Sequence, residues 1–91
     1  MTQLMPGGWS VIDSDSQKVH DLAVWIIKSY FHLQIPPDYF IIYSEEQVVA
    51  GMNYKICMDI FFAPGNEIWE FIVYDRFGTY FKITTARKLS L

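Results

Sequence analysis

Hydrophobic positions recur along this chain with two different periods, and the change of period divides it into a helical part and a stranded part. Val19, Leu22, Ala23, Ile26, Ile27 and Tyr30 fall at the three- and four-residue spacing of one helix face. Lys18, Asp21, Lys28 and Ser29 fall largely off that stripe. Ser14 with Gln17 three residues later is a capping-box pattern that opens a helix. Pro36-Pro37 closes it, because the first proline biases Ile35 away from the α region. The pattern predicts one long helix over about residues 15–33.

After Asp38 the period falls to two. Residues 39–44 are dense in β-branched and aromatic side chains. Tyr54, Ile56, Met58 and Ile60 alternate with Asn53, Lys55, Cys57 and Asp59, as on a half-buried strand. Ala63-Pro64-Gly65-Asn66 predicts a turn, since proline presets one backbone angle and glycine supplies the other. Trp69, Phe71 and Val73 begin another alternation; residues 75–78 predict a hairpin tip, and residues 80–85 a last strand. Upstream of the helix, Trp9 and Val11 suggest a short first strand, and Pro6-Gly7-Gly8 makes residues 1–8 a flexible open tail. A lone helix cannot bury its stripe unaided, and an antiparallel sheet with one apolar face is its natural partner. The expected fold is α+β: a single domain, residues 1–91, in the order β-α-β-β-β-β, with one long helix on a twisted antiparallel sheet.

Composition narrows the function. At 91 residues there is room for one core, and 52% hydrophobic with 18% aromatic content exceeds what one core needs, so apolar side chains must reach the surface. A net charge of −3 with scattered basic residues argues against nucleic acid as a partner. No apolar stretch approaches a membrane span. Cys57 is the single cysteine, which excludes an internal disulfide and fits a reducing compartment. With no signal-peptide pattern at the N-terminus, a cytoplasmic address is expected, secretion being left open if the N-terminus is processed.

Little in the chain suggests catalysis. Cys57 falls on the polar side of its strand, which predicts a partly exposed thiol able to link two chains, but no spacing supplies it with a base or an oxyanion site. Glu45 and Glu46 are adjacent and therefore point to opposite sides of a strand. His20 and His32 lack an evident carboxylate or cysteine partner and read as ordinary surface or edge histidines. The pattern implies no metal, cofactor or catalytic residue. Phe61, Phe62 and Trp69 belong either to the core or to an exposed patch.

Two short motifs carry a family resemblance. Gln47-Val48-Val49-Ala50-Gly51, between the second and third strands, matches the Gln-x-Val-x-Gly signature of cystatins, in the form shared by stefins and plant cystatins. Asn53-Tyr54 resembles the stefin continuation, and Met5-Pro6-Gly7-Gly8 the stefin N-terminus. The chain is therefore identified as most similar to the stefins, the disulfide-free cystatins. It departs from them at the second hairpin tip, where Tyr74-Asp75-Arg76-Phe77-Gly78 replaces the family's Pro-Trp or Leu-Pro dipeptide.

The resemblance implies a reversible inhibitor of papain-like cysteine proteases, cathepsins among them, acting by occlusion. The tail and two hairpin tips would form one wedge. Leu4 and Met5 would fill substrate subsites, while Pro6, Gly7 and Gly8 lead the chain away from the enzyme's thiolate. Val48, Val49 and Ala50 would enter the cleft, with Gly51 letting the backbone leave the tip and Gln47 bracing it. At the second tip Phe77 would supply an apolar contact, with Asp75 and Arg76 entering the cleft charged. A monomer is expected, with a dimer that exchanges the helix and first strand through the first hairpin as the alternative state. The alternative function is a non-inhibitory interaction module on the same fold.

Overall fold

Both faces of the helix-and-sheet arrangement follow from the two periodicities. The computed structural model describes residues 8–90. Strand β1 (Trp9–Val11) leads into helix α1 (Gln17–Phe31), and β2 (Tyr39–Val49), β3 (Gly51–Phe61), β4 (Asn66–Asp75) and β5 (Phe81–Lys88) follow. The five strands form one antiparallel sheet in chain order. The buried helix face, Val19, Leu22, Ala23, Ile26 and Ile27, lies against Tyr54, Ile56, Met58 and Ile60 of β3 and Phe71 and Val73 of β4. Tyr30, Phe31, Phe62, Trp69 and Phe71 close one end of this core through edge-to-face, tilted and stacked contacts, with centroids 5.0 to 6.3 Å apart. Phe62 and Trp69 thus pack on the core, while Phe61 remains exposed.

The helix starts later than the capping-box pattern suggests. Its N-cap is Ser16, whose hydroxyl accepts the Val19 N–H at 3.2 Å. Ser14 is drawn away to the buried Ser44, hydroxyl to hydroxyl at 2.7 Å. At the other end His32 adopts a left-handed conformation (φ 57°) and its N–H closes onto the Lys28 carbonyl.

The strands also run longer than their composition indicates. Residues 45–49 stay paired with β3, although Glu45, Glu46 and Gln47 are not strand formers. Opposed charges hold the register there, with Lys55 Nζ 3.4 Å from Glu45 Oε1 and 4.1 Å from the Trp9 ring centroid. Strand β5 likewise continues to Lys88.

Cys57 corrects a sequence expectation. It lies on the sheet face away from the helix, yet is 2% exposed, because that face carries its own cover. Tyr43, its partner across the ladder, donates its hydroxyl to Glu70, whose other oxygen accepts Arg87 Nη2 at 3.0 Å. Burial pushes the Cys57 thiol and the Tyr43 phenol above their ordinary values. A thiol so placed does not reach a second chain.

Candidate functional site

Antiparallel order brings three separate stretches of chain to one end of the sheet. Trp9 pairs with Gln47, Val49 with Gly51, Met52 with Asp75, and Asp75 with Phe81. Gly8, the β2–β3 tip and the β4–β5 tip therefore stand in a row at that end. At inter-strand spacings near 4.8 Å the row spans about 15–20 Å.

The first tip is as tight as a hairpin allows. Gln47, Val48 and Val49 belong to β2, and Ala50 alone separates the paired Val49 and Gly51. Gly51 closes it with φ 116°, and a Cβ there would sit 2.6 Å from the Asp75 carbonyl oxygen, 3.0 Å from the Tyr74 hydroxyl and 3.1 Å from its ring. Two separate constraints thus require glycine. Gln47 Oε1 accepts Asn53 Nδ2 at 2.8 Å across the ladder, while the Tyr74 hydroxyl donates to the Ala50 carbonyl. Val49 and Ala50 are exposed, Val48 half-buried.

The second tip is ordered by its own hydrogen bonds. Arg76 N–H donates to the Tyr80 carbonyl at 2.8 Å, and the Thr79 N–H and hydroxyl both donate to the Arg76 carbonyl, at 3.2 and 2.8 Å. Phe77 takes a left-handed φ of 55° and is 77% exposed. Asp75 was expected to stand out at this tip with its charge toward a partner. It is instead the last residue of β4, 6% exposed, and its Oδ1 accepts the Gly78 N–H at 2.7 Å. An aspartate facing the core at a strand end becomes a turn brace rather than a surface charge. Lys18 lies nearby with its Nζ 4.7 Å from the Tyr54 ring centroid. Its pKa is raised, first by Tyr54 and then, beyond an opposing desolvation, by Asp75 and Glu46.

Of the residues singled out from sequence, Gly8, Gln47, Val48, Val49, Ala50, Gly51, Arg76 and Phe77 meet at this end, with Asp75 beneath them. Leu4, Met5, Pro6 and Gly7 lie outside the described residues. Sequence reading missed the braces Tyr74, Asn53 and Lys55. The alternation places Asn53 and Lys55 opposite the buried residues of their strand and Tyr74 reads as part of the second tip, but only the register shows that Tyr74 reaches the neighbouring tip.

Chemically, this edge can present a surface. Val49, Phe77, Tyr80 and Phe81 are all exposed apolar or aromatic groups on or beside the tips, with the exposed Arg76 among them. Among the described residues no group of three or more His, Cys, Asp or Glu side chains is placed to hold a metal ion. No helix among them is long and apolar enough to cross a membrane. His20 Nδ1 lies 2.8 Å from the Tyr39 hydroxyl, far from the tips, where β2 begins.

Comparison with known proteins gives the fold. The crystal structure of a salivary cystatin from the soft tick Ornithodoros moubata superposes with a TM-score of 0.72 at 20% identity, covering 92% of this chain and 98% of that one. No family profile matches the chain, and no curated protein sequence matches it. The chain therefore has the cystatin fold. The cytoplasmic expectation is corrected by this match, since the matching tick cystatin is a salivary protein. The lone cysteine misled there: buried and without a second cysteine, it forms no internal disulfide in any compartment.

Proposed function

We propose that this protein is a reversible, tight-binding inhibitor of papain-like cysteine proteases of the cathepsin type. It would block the active-site cleft with its N-terminal segment and two hairpin tips and do no chemistry itself. The observation that carries this reading is the row formed by Gly8, the Val49-Ala50-Gly51 tip and the Phe77 tip, two of them braced from behind and carrying exposed apolar groups. A wedge of this kind binds well because hairpin tips held by their own strands lose little entropy on docking. Standard protease–inhibitor interfaces bury about 1,600 Å² in total, within reach of a row this wide.

In this reading Val48, Val49 and Ala50 fill the narrow part of the cleft and Phe77 adds an apolar contact at its far side. Leu4 and Met5 occupy substrate subsites, and the Pro6-Gly7-Gly8 segment leads the chain past the enzyme's nucleophile. The Gln-Val-Val-Ala-Gly form and the single cysteine favour the disulfide-free, stefin-like variety of the fold. Arg76, exposed beside Phe77, is the observation that favours the other reading, an interaction module without inhibitory activity.

The test is inhibition of papain by wild type, Val49→Asp and Phe77→Ala. Burying an aspartate in an apolar cleft costs about 3 kcal/mol, so Val49→Asp should weaken inhibition about a hundredfold. Phe77→Ala should weaken it less. Equal inhibition by wild type and Val49→Asp would remove the first tip from the interface.

A further inference from the structure

Tyr74 ties the first tip to the strand leading into the second. It sits on β4 opposite Asn53, on the sheet face away from the helix. From there its ring crosses above Gly51, and its hydroxyl meets the Ala50 carbonyl at the apex of the neighbouring hairpin. The next residue, Asp75, points to the opposite face and fixes the second tip through the Gly78 N–H. Consecutive residues of one strand thus hold both tips.

The first tip needs such a hold. A single residue links Val49 to Gly51, and both valines before it favour extended backbone. All the turning falls on Ala50 and on Gly51, the residue with the least intrinsic preference for any one conformation. Gln47 and Asn53 clamp the hairpin two residue pairs below the apex, and the Tyr74 hydroxyl holds the apex itself.

We propose that Tyr74 is a positioning residue for binding: its hydroxyl latches the Ala50 carbonyl, setting the first tip at a fixed height and angle relative to the second so that both enter one cleft together. This rests on the protease-inhibitor reading above, and deepens it by assigning the preorganisation of the wedge to one hydroxyl. The partner must meet two tips at once, so a loosened first tip is felt as faster release. Encounter, which is set by diffusion and overall shape, changes little.

The experiment compares wild type, Tyr74→Phe and Tyr39→Phe. Tyr39→Phe also deletes one bonded hydroxyl, from the end of β2 remote from the tips, and serves as the control for a general loss of stability. Two readouts are taken on each: backbone amide exchange across residues 49–52, and association and dissociation rates with papain. Tyr74→Phe should raise exchange at the tip at least fivefold and speed dissociation about five- to tenfold with association unchanged. Tyr39→Phe should do neither. Tip exchange in Tyr74→Phe at the wild-type rate would overturn the latch, and so would raised exchange with unchanged dissociation, or equal effects from Tyr39→Phe. If wild type does not inhibit papain, the protease reading fails, and the exchange comparison still decides whether the hydroxyl holds the tip.

Discussion

Of the glycines Gly51, Gly65 and Gly78, Gly51 should be the one where replacement by alanine does most damage. At Gly51 two costs add. A φ of 116° lies well beyond the left-handed well near 57° that L residues can reach, and such backbone strain costs about 1–3 kcal/mol. The new Cβ would also stand 2.6 Å from the Asp75 carbonyl oxygen, where a carbon and an oxygen ordinarily keep about 3.3 Å. That oxygen belongs to the paired β3–β4 ladder and cannot swing aside, so relief means moving strand β4 or the tip. Against this, alanine restricts the unfolded chain and returns about 0.4–1 kcal/mol. The net loss is about 2 kcal/mol, which in a domain of this size lowers Tm by about 8–16 °C. Gly78→Ala meets open space but keeps a φ of 79°, so it should cost about 1 kcal/mol. Gly65→Ala has neither constraint and should be neutral or slightly stabilising. Thermal and urea denaturation of the three variants gives the order directly. A Gly51→Ala midpoint indistinguishable from that of Gly65→Ala would refute the reasoning about the tip.

Two further perturbations probe the frame around the site. Ser16→Ala should lower stability by about 1 kcal/mol in urea denaturation, and Ser16→Asp should retain most of it; equal losses would mean that the cap is not Ser16. The Tyr43 phenol and Cys57 thiol both have pKa values raised in the fold, first by burial, with Glu70 adding to each. Groups raised in this way contribute stability fully below their unfolded values and lose it above them. The denaturation midpoint should therefore hold up to about pH 9 and fall from there through pH 10 and beyond, as the unfolded thiol and then the phenol ionise while their folded counterparts keep their protons. Tyr43→Phe should flatten the upper part of that fall, and an unaltered slope would show that Tyr43 is not its source.

Periodicity made the architecture legible because burial acts on every turn of the helix and every second residue of a strand. Val19 through Ile27 and Tyr54 through Ile60 therefore announce their faces without help. What stayed hidden is what long-range pairing decides. Ser14 looks like a helix cap by spacing, yet Ser44, distant in sequence, captures its hydroxyl. Composition ends the second strand at residue 44, because local propensity knows nothing of Lys55 pairing with Glu45 across the ladder. Cys57 reads as exposed, because alternation treats the outer face as solvent and cannot anticipate Tyr43 and Glu70 closing over it. At the candidate site, Gln47 to Gly51 were visible as a motif and Phe77 as an apolar residue at a turn. The reach of Tyr74 across Gly51 depends on register, which no local pattern carries, and the inward Asp75 depends on β4 running to residue 75 before it turns.

The central claim is tested most directly by titrating the purified monomer into active-site-quantified papain while following hydrolysis of a small fluorogenic substrate. Reversible loss of activity that is complete at one inhibitor per enzyme is the predicted result. Full papain activity at micromolar inhibitor would contradict it and leave the exposed tips to a partner of another kind.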